Sequence, residues 1–177
     1  MSGAGSTRIL RRVAVAAGLG VLLISAGCVG SFMARRTEPL RLSELVDVGD
    51  PRRQGSMRLI VEGLDAELIA PSSRALDRYE QAIRIDPGNP YAYLALARHY
   101  VSVGDAQRAL EHLSRAQSLL DPDGPLSPRI QPHLAGIRGI ALEEIGRRSE
   151  ALQLLSRARR LAPEVWEDGR LDAHELR

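Results

Sequence analysis

Lysine is absent from the 177-residue sequence, so all 24 basic side chains are arginines. A phosphate-binding P-loop, a Schiff base and a lysine general base are thereby excluded. Cysteine occurs once, at Cys28, which rules out an internal disulfide and leaves packing to stabilise any folded part. Aromatic residues make up only 3% (one Trp, one Phe, four Tyr) against 44% hydrophobic residues. A core of that kind is built from Ala, Leu, Ile and Val, which favours helices over a β-sandwich.

Chemistry-bearing motifs are also missing. There is no G-x-S-x-G elbow and no H-E-x-x-H pair. His99, His112, His133 and His174 lack ligand-like spacing and read as solvated or half-buried helix residues. Glu143 and Glu144 are adjacent, so a helix sets them roughly 100° apart instead of facing each other. Asp121 and Asp123 flank a proline without the rest of a calcium loop. The sequence reads as a binder, with no catalytic residues, metal or cofactor expected.

The first segment has a definite order. Met1 to Arg12 carries Arg8, Arg11 and Arg12 and no acid, and Val13 to Ala26 is an apolar run rich in Leu, Val and Ala. Two small residues, Ala26 and Gly27, then precede Cys28. Basic, apolar, small is the order of a secretory signal, and the segment resembles a bacterial lipoprotein signal peptide. It departs from that pattern at Ser25, three before the cysteine, where such signals have Leu and where Ile24 is displaced by one position. The resemblance implies cleavage before Cys28, lipid on its thiol and new amino group, and a membrane-anchored, periplasm-facing domain. Each buried CH₂ contributes roughly 0.8 kcal/mol, and two or more acyl chains anchor stably. Val29, next to Cys28, is not the Asp that signals inner-membrane retention in such lipoproteins, which points to the outer membrane. The rival reading is an uncleaved anchor, since Val13 to Ala34 holds 22 residues without a charge, although glycines at 18, 20, 27 and 30 interrupt it. Either reading exports the remainder, because the arginines before the run stay on the cytoplasmic side.

Removing residues 1–27 takes three arginines and no acid, so 21 arginines face 22 acids and the formal net charge of +2 becomes −1. The pI of about 9.1 therefore reports the leader, and charge gives no support for a nucleic-acid partner.

Internal repeats organise the remainder. A shift of 34 sets Ser56–Asn89 against Pro90 onward, and a further 42 brings in a third copy. Three columns hold small residues throughout: Gly63, Ala97, Gly139; Ala75, Ala109, Ala151; Ala82, Ala116, Ala158. Apolar columns lie between them (Tyr79, Leu113, Leu155; Ile85, Leu119, Leu161), prolines follow at 87, 122 and 163, and turns fall at Gly104-Asp105 and Gly146. Small residues let two helices approach, larger ones fill the spaces, and proline ends the second helix. The runs Leu110, Leu113, Ala116, Leu120 and Leu152, Leu155, Ala158, Leu161 have helical spacing.

With Asp86-Pro87-Gly88-Asn89-Pro90-Tyr91-Ala92-Tyr93-Leu94-Ala95-Leu96-Ala97 and Gly104-Asp105-Ala106-Gln107-Arg108-Ala109-Leu110, the chain resembles the tetratricopeptide repeat (TPR) family. The fold expected is all-α: an α-solenoid of about three TPR helical hairpins with a short C-terminal cap, preceded by a cleaved signal or lipid anchor and a linker. The boundaries read as 1–27 signal, 28–55 lipidated cysteine and linker, 56–165 repeats (56–89, 90–122 and 132–165, with a proline-rich insertion at 123–131 expected to be a loop), and 166–177 cap. Within the linker, Leu40 to Val48 alone has apolar residues spaced for a short helix. Trp166, Leu171 and Leu176 lie about five apart in the last segment and are expected to cap the terminal repeat.

The resemblance implies a partner-binding groove lined by the first helix of each pair. On the matching columns it would present Met57, Ile60 and Leu64; Tyr91, Leu94 and Arg98; and His133 and Ile140. That is an apolar strip with one cation, suited to an apolar peptide carrying an acidic group for Arg98. A clamp for a chaperone's terminal carboxylate is excluded, since it needs lysines and asparagines and this chain has one Asn and no Lys. The function expected is a lipid-anchored scaffold holding a protein partner in an envelope assembly, such as pilus, secretion, polysaccharide-export or outer-membrane assembly machinery. Two alternatives are a single-pass inner-membrane protein assisting folding of exported clients and an accessory subunit of an envelope enzyme.

Overall fold

Four of the helix starts are written in short polar side chains. Asp50 accepts from the amides of Arg52 and Arg53 (2.8 and 3.1 Å), Ser72 from Ala75 (3.2 Å), Asn89 from Tyr91 (3.1 Å) and Asp105 from Arg108 (3.1 Å). Each satisfies a donor that the first turn leaves orphaned. Pro51 and Pro90 stand at first helical positions, where the missing N–H costs nothing. Helices α1 (Pro51–Ala66), α2 (Ser73–Ile85), α3 (Pro90–Ser102) and α4 (Ala106–Leu119) follow these caps, and α5 (Ser127–Glu144) and α6 (Arg148–Leu161) complete the set. The computed structural model describes residues 38–177, and no strand occurs among them.

The helices pack as three consecutive hairpins, α1 with α2, α3 with α4 and α5 with α6, each leaning on the next. The architecture is an all-α solenoid. Gly104 (φ +76°) ends α3 and Gly146 (φ +82°) ends α5, both in the left-handed region that glycine adopts without strain. The amides of Asp105 and Arg147 then return to the carbonyls of Tyr100 and Leu142, each at 2.8 Å.

All nine small-column residues are buried. A side chain at Gly63 would collide with the Tyr79 ring, and one at Gly139 would come within 2.8 Å of Leu155 Cγ. Each second helix buries one stripe, Ala75-Tyr79-Ala82, Ala109-Leu113-Ala116 or Ala151-Leu155-Ala158. By contrast α3 and α5 are buried over most of their circumference, being enclosed by neighbouring hairpins and by the chain's own ends.

Those ends depart from the sequence reading. Residues 38–50, read as linker, pack on the domain: Leu40 and Leu42 are fully buried, Leu42–Leu45 form a 3₁₀ turn against α1, and α1 itself starts five residues before the expected boundary. The apolar content of Leu40–Val48 is the physical reason. The proline-rich insertion expected to be a loop, with prolines at 122, 125, 128 and 132 in and beside it, is a loop only as far as Leu126. Pro128 lies in the first turn of α5, where its missing N–H has no cost, while Pro132 sits inside that helix and forgoes one ladder bond.

The last segment, read as a terminal cap, does more than cover α6. Short helix α7 (Pro163–Trp166) follows α6 directly, and α8 (Ala173–Leu176) lies against α1, the opposite end of the solenoid. Trp166 is fully buried, against Gly136 of α5.

Candidate functional site

The first helices α1, α3 and α5 contact one another in order and form an inner face. Of the eight residues expected to line a groove there, Met57, Ile60, Leu64, Tyr91, Leu94, Arg98 and His133 are buried, and Ile140 alone is partly exposed. The face is therefore not an open strip. It is covered by segments that flank the hairpins, and Leu40, Leu42, Leu171 and Leu176 belong to the same hydrophobic cluster as Met57, Ile60 and Leu94.

Polar contacts fix both ends in place. The Leu40 amide donates to the Arg129 carbonyl (3.1 Å) and the His133 Nε2–H to the Leu40 carbonyl (3.0 Å). Arg129 donates to the Glu38 carbonyl (3.1 Å) and pairs with Glu44 (2.8 Å). From the other end, the Arg177 carbonyl accepts from the Ser43 amide (2.7 Å), and the Arg177 side chain pairs with Asp65 of α1. The two ends of the domain thus meet over α1.

Arg98 was expected to await a partner's acid, but the chain supplies that acid itself. Glu67, in the loop after α1, is buried and receives Arg98, the Nδ1–H of His99 and the Tyr79 hydroxyl (2.9 Å). Burial pushes the Glu67 carboxyl up, yet the His99 hydrogen bond and the Arg98 charge outweigh it and hold the group below its usual range. Tyr79 is raised by burial and by the neighbouring carboxylate. Sequence reasoning missed this cluster because Glu67 sits in an inter-helix loop, where an acid is ordinarily solvated. A second missed network is smaller: Asn89 donates to Ser56 Oγ (2.9 Å), which donates to the Ala82 carbonyl (2.9 Å).

What remains open on the inner face is a cleft of about 680 Å³ between α3, α5 and the loop before α8. Val101, Ile137, Ile140 and Leu155 give it an apolar floor, and Glu143, Glu144, Asp168 and Asp172 lie around it. Three arginines share the lining with these four acids: Arg98 is held by Glu67, Arg159 donates to the Trp166 carbonyl (3.2 Å), and Arg170 is exposed in the loop before α8. Burial, with Asp105 nearby, raises the Glu144 carboxyl. An apolar floor with an acidic rim suits a basic amphipathic segment better than the acidic peptide first expected.

Residues 73–126, spanning α2 to α4 and the loop up to α5, match the family model described as tetratricopeptide repeat. Residues 73–126 carry a tetratricopeptide repeat. The match takes in the whole central hairpin, and the flanking helices pair in the same order, α1 on α2 and α5 on α6. No curated protein matches the chain. TPR domains are in general non-catalytic protein-interaction folds, so the match indicates protein partners. Among the described residues no group of three His, Cys, Asp or Glu side chains is placed to hold a metal ion, and no helix is long and apolar enough to cross a membrane. Cys28 and the leader lie outside the described residues.

His133 yields a prediction for pH. Burial pushes its imidazole down to about 4, against the opposing bond to the Leu40 carbonyl, and its Nδ1 has no partner to share a second proton. A lowered histidine pKa means that the unfolded chain takes up the proton first. The stabilisation is therefore complete above about pH 6.5 and is lost as pH falls towards 4, by roughly 3 kcal/mol in all. Glu67, also lowered, adds a loss in the same direction below about pH 4.5. Chemical denaturation at pH 7 and pH 5 should show this slope, and His133→Phe should flatten it between those values.

Proposed function

We infer that the protein is a TPR protein-interaction scaffold of the bacterial cell envelope, held to the membrane by lipid on Cys28 and using its inner face to hold a protein partner. The observation that carries the binding role is the acid-rimmed apolar cleft on the first-helix face, the face that the repeat fold presents to partners. The anchor rests on the order of charge and hydropathy in residues 1–28. The packed domain begins by Glu38, ten residues beyond Cys28, which keeps it close to the membrane surface. The outer membrane is the favoured address, since Val29 follows the cysteine.

Two experiments test the two halves. Metabolic labelling with a fatty-acid analogue should mark the native chain and leave Cys28→Ser unmarked; equal labelling of both would remove the lipid anchor. A photocrosslinking residue at Ile140, in the cleft, should give a discrete adduct in intact envelopes. The same residue at Leu152, an exposed position on α6, should give none. Adducts from Leu152 alone would move the working surface to the outer face.

A further inference from the structure

The inner face is partly filled by a segment with the features of a ligand. We propose that residues 170–177 are a built-in occupant of this face, displaced when a partner segment of the same chemistry docks: two apolar side chains about five residues apart, followed by an arginine. The proposal rests on the inner face being the partner surface, and it names the partner's chemistry and the state of the face before the partner arrives.

Four observations carry it. First, α8 has four residues, too few to persist as a helix by itself, so its form depends on where it docks. Its own capping box, with the Asp172 amide donating to Glu175 (2.7 Å), supplies the local part of that order. Second, the segment is seated as a bound peptide would be. Leu171 and Leu176 enter the hydrophobic cluster, the Arg177 carbonyl accepts from the Ser43 amide, and the Arg177 guanidinium pairs with Asp65. Third, the segment is separable from what precedes it. Trp166 is anchored independently against Gly136 and by Arg159, and an exposed stretch with Gly169 at φ +80° joins it to α8. Fourth, the cleft of about 680 Å³ adjoins the loop Asp168–Asp172 and shares Leu171 as a wall. Release of residues 170–177 would join that cleft to the surface of α1 and open one continuous, acid-lined groove. Asp65, Asp168 and the two glutamates of α5 would then face a basic partner.

The test uses the full chain carrying Leu171→Asp and Leu176→Asp, which expels the segment, and a fluorescent synthetic peptide of residues 167–177 with the native sequence. The variant should bind this peptide at least ten-fold more tightly than the native chain, while keeping native helicity and the blue-shifted emission of the single tryptophan. A peptide carrying the same two aspartates should bind neither chain. Equal binding by variant and native chain would overturn the proposal, and so would loss of helicity or exposure of Trp166 in the variant, which would make the segment part of the core. Hydrogen exchange of the native chain gives a second test: the amides of residues 173–177 should exchange at least 100-fold faster than those of α3, and exchange only together with α3 would also overturn it. These readouts involve no envelope partner, so they fail separately from the crosslinking at Ile140.

Discussion

Glu67→Ala is expected to destabilise the domain by roughly 3–5 kcal/mol, because it leaves the Arg98 guanidinium in the interior with no counter-charge. Removing the carboxylate strands three groups together: Arg98, the Nδ1–H of His99 and the Tyr79 hydroxyl. Arg98 has little in reserve, since its Nε already lacks a partner and its side chain is only 7% exposed. The thermal midpoint should fall on the order of 10 °C or more. If the loss arises from the uncompensated charge, Glu67→Met combined with Arg98→Met should recover much of it, as buried ion pairs replaced by apolar groups often do. A double variant no more stable than Glu67→Ala would instead show that the shape of the cluster, and not its charge balance, holds α1, α2 and α3 together.

Gly136 and Trp166 give the second large effect. Any side chain at position 136 would occupy the space of the Trp166 ring, so Gly136→Val should expel the indole and shift its emission to the red. Trp166→Ala should cost roughly 3–5 kcal/mol through the cavity it leaves. Trp166→Phe should cost clearly less than Ala, because it keeps most of the ring's volume and removes an indole N–H that has no acceptor. Urea denaturation of the three variants checks the order, and Trp166→Phe falling as far as Trp166→Ala would contradict it.

The repeat core was legible because its information is periodic. Gly63, Ala97 and Gly139 recur in one column, and each is small for a local reason that the structure supplies at two of them, the Tyr79 ring over Gly63 and Leu155 over Gly139. Gly104 and Gly146 were legible for the same reason, since a left-handed glycine follows both α3 and α5 at the same place. Coverage of the inner face has no such period. Whether Ile60 or Leu94 faces a partner or the chain's own Leu40 and Leu176 depends on contacts with segments far away in the sequence, and an apolar side chain looks the same in either setting. Arg98 shows the difficulty most sharply. Its column marked it as a groove cation, and its fate was decided by Glu67, 31 residues earlier in the loop after α1. His133 likewise looked like a groove residue and is instead the donor that ties down Leu40.

These corrections change what should be mutated. Leu94→Glu would bury a carboxylate in the core and unfold the domain, so it reports nothing about binding. Ile140 is partly exposed and lines the cleft, and Leu171 and Leu176 control access to the remainder of the face. The most direct measurement of the central claim, a partner surface on the first-helix face guarded by the chain's own last residues, is crosslinking from Ile140 in intact envelopes, compared between the native chain and the chain carrying Leu171→Asp and Leu176→Asp. The account predicts that the yield from Ile140 rises several-fold when the segment is expelled, with no change from Leu152; an unchanged yield at Ile140 in a variant of native helicity would contradict it.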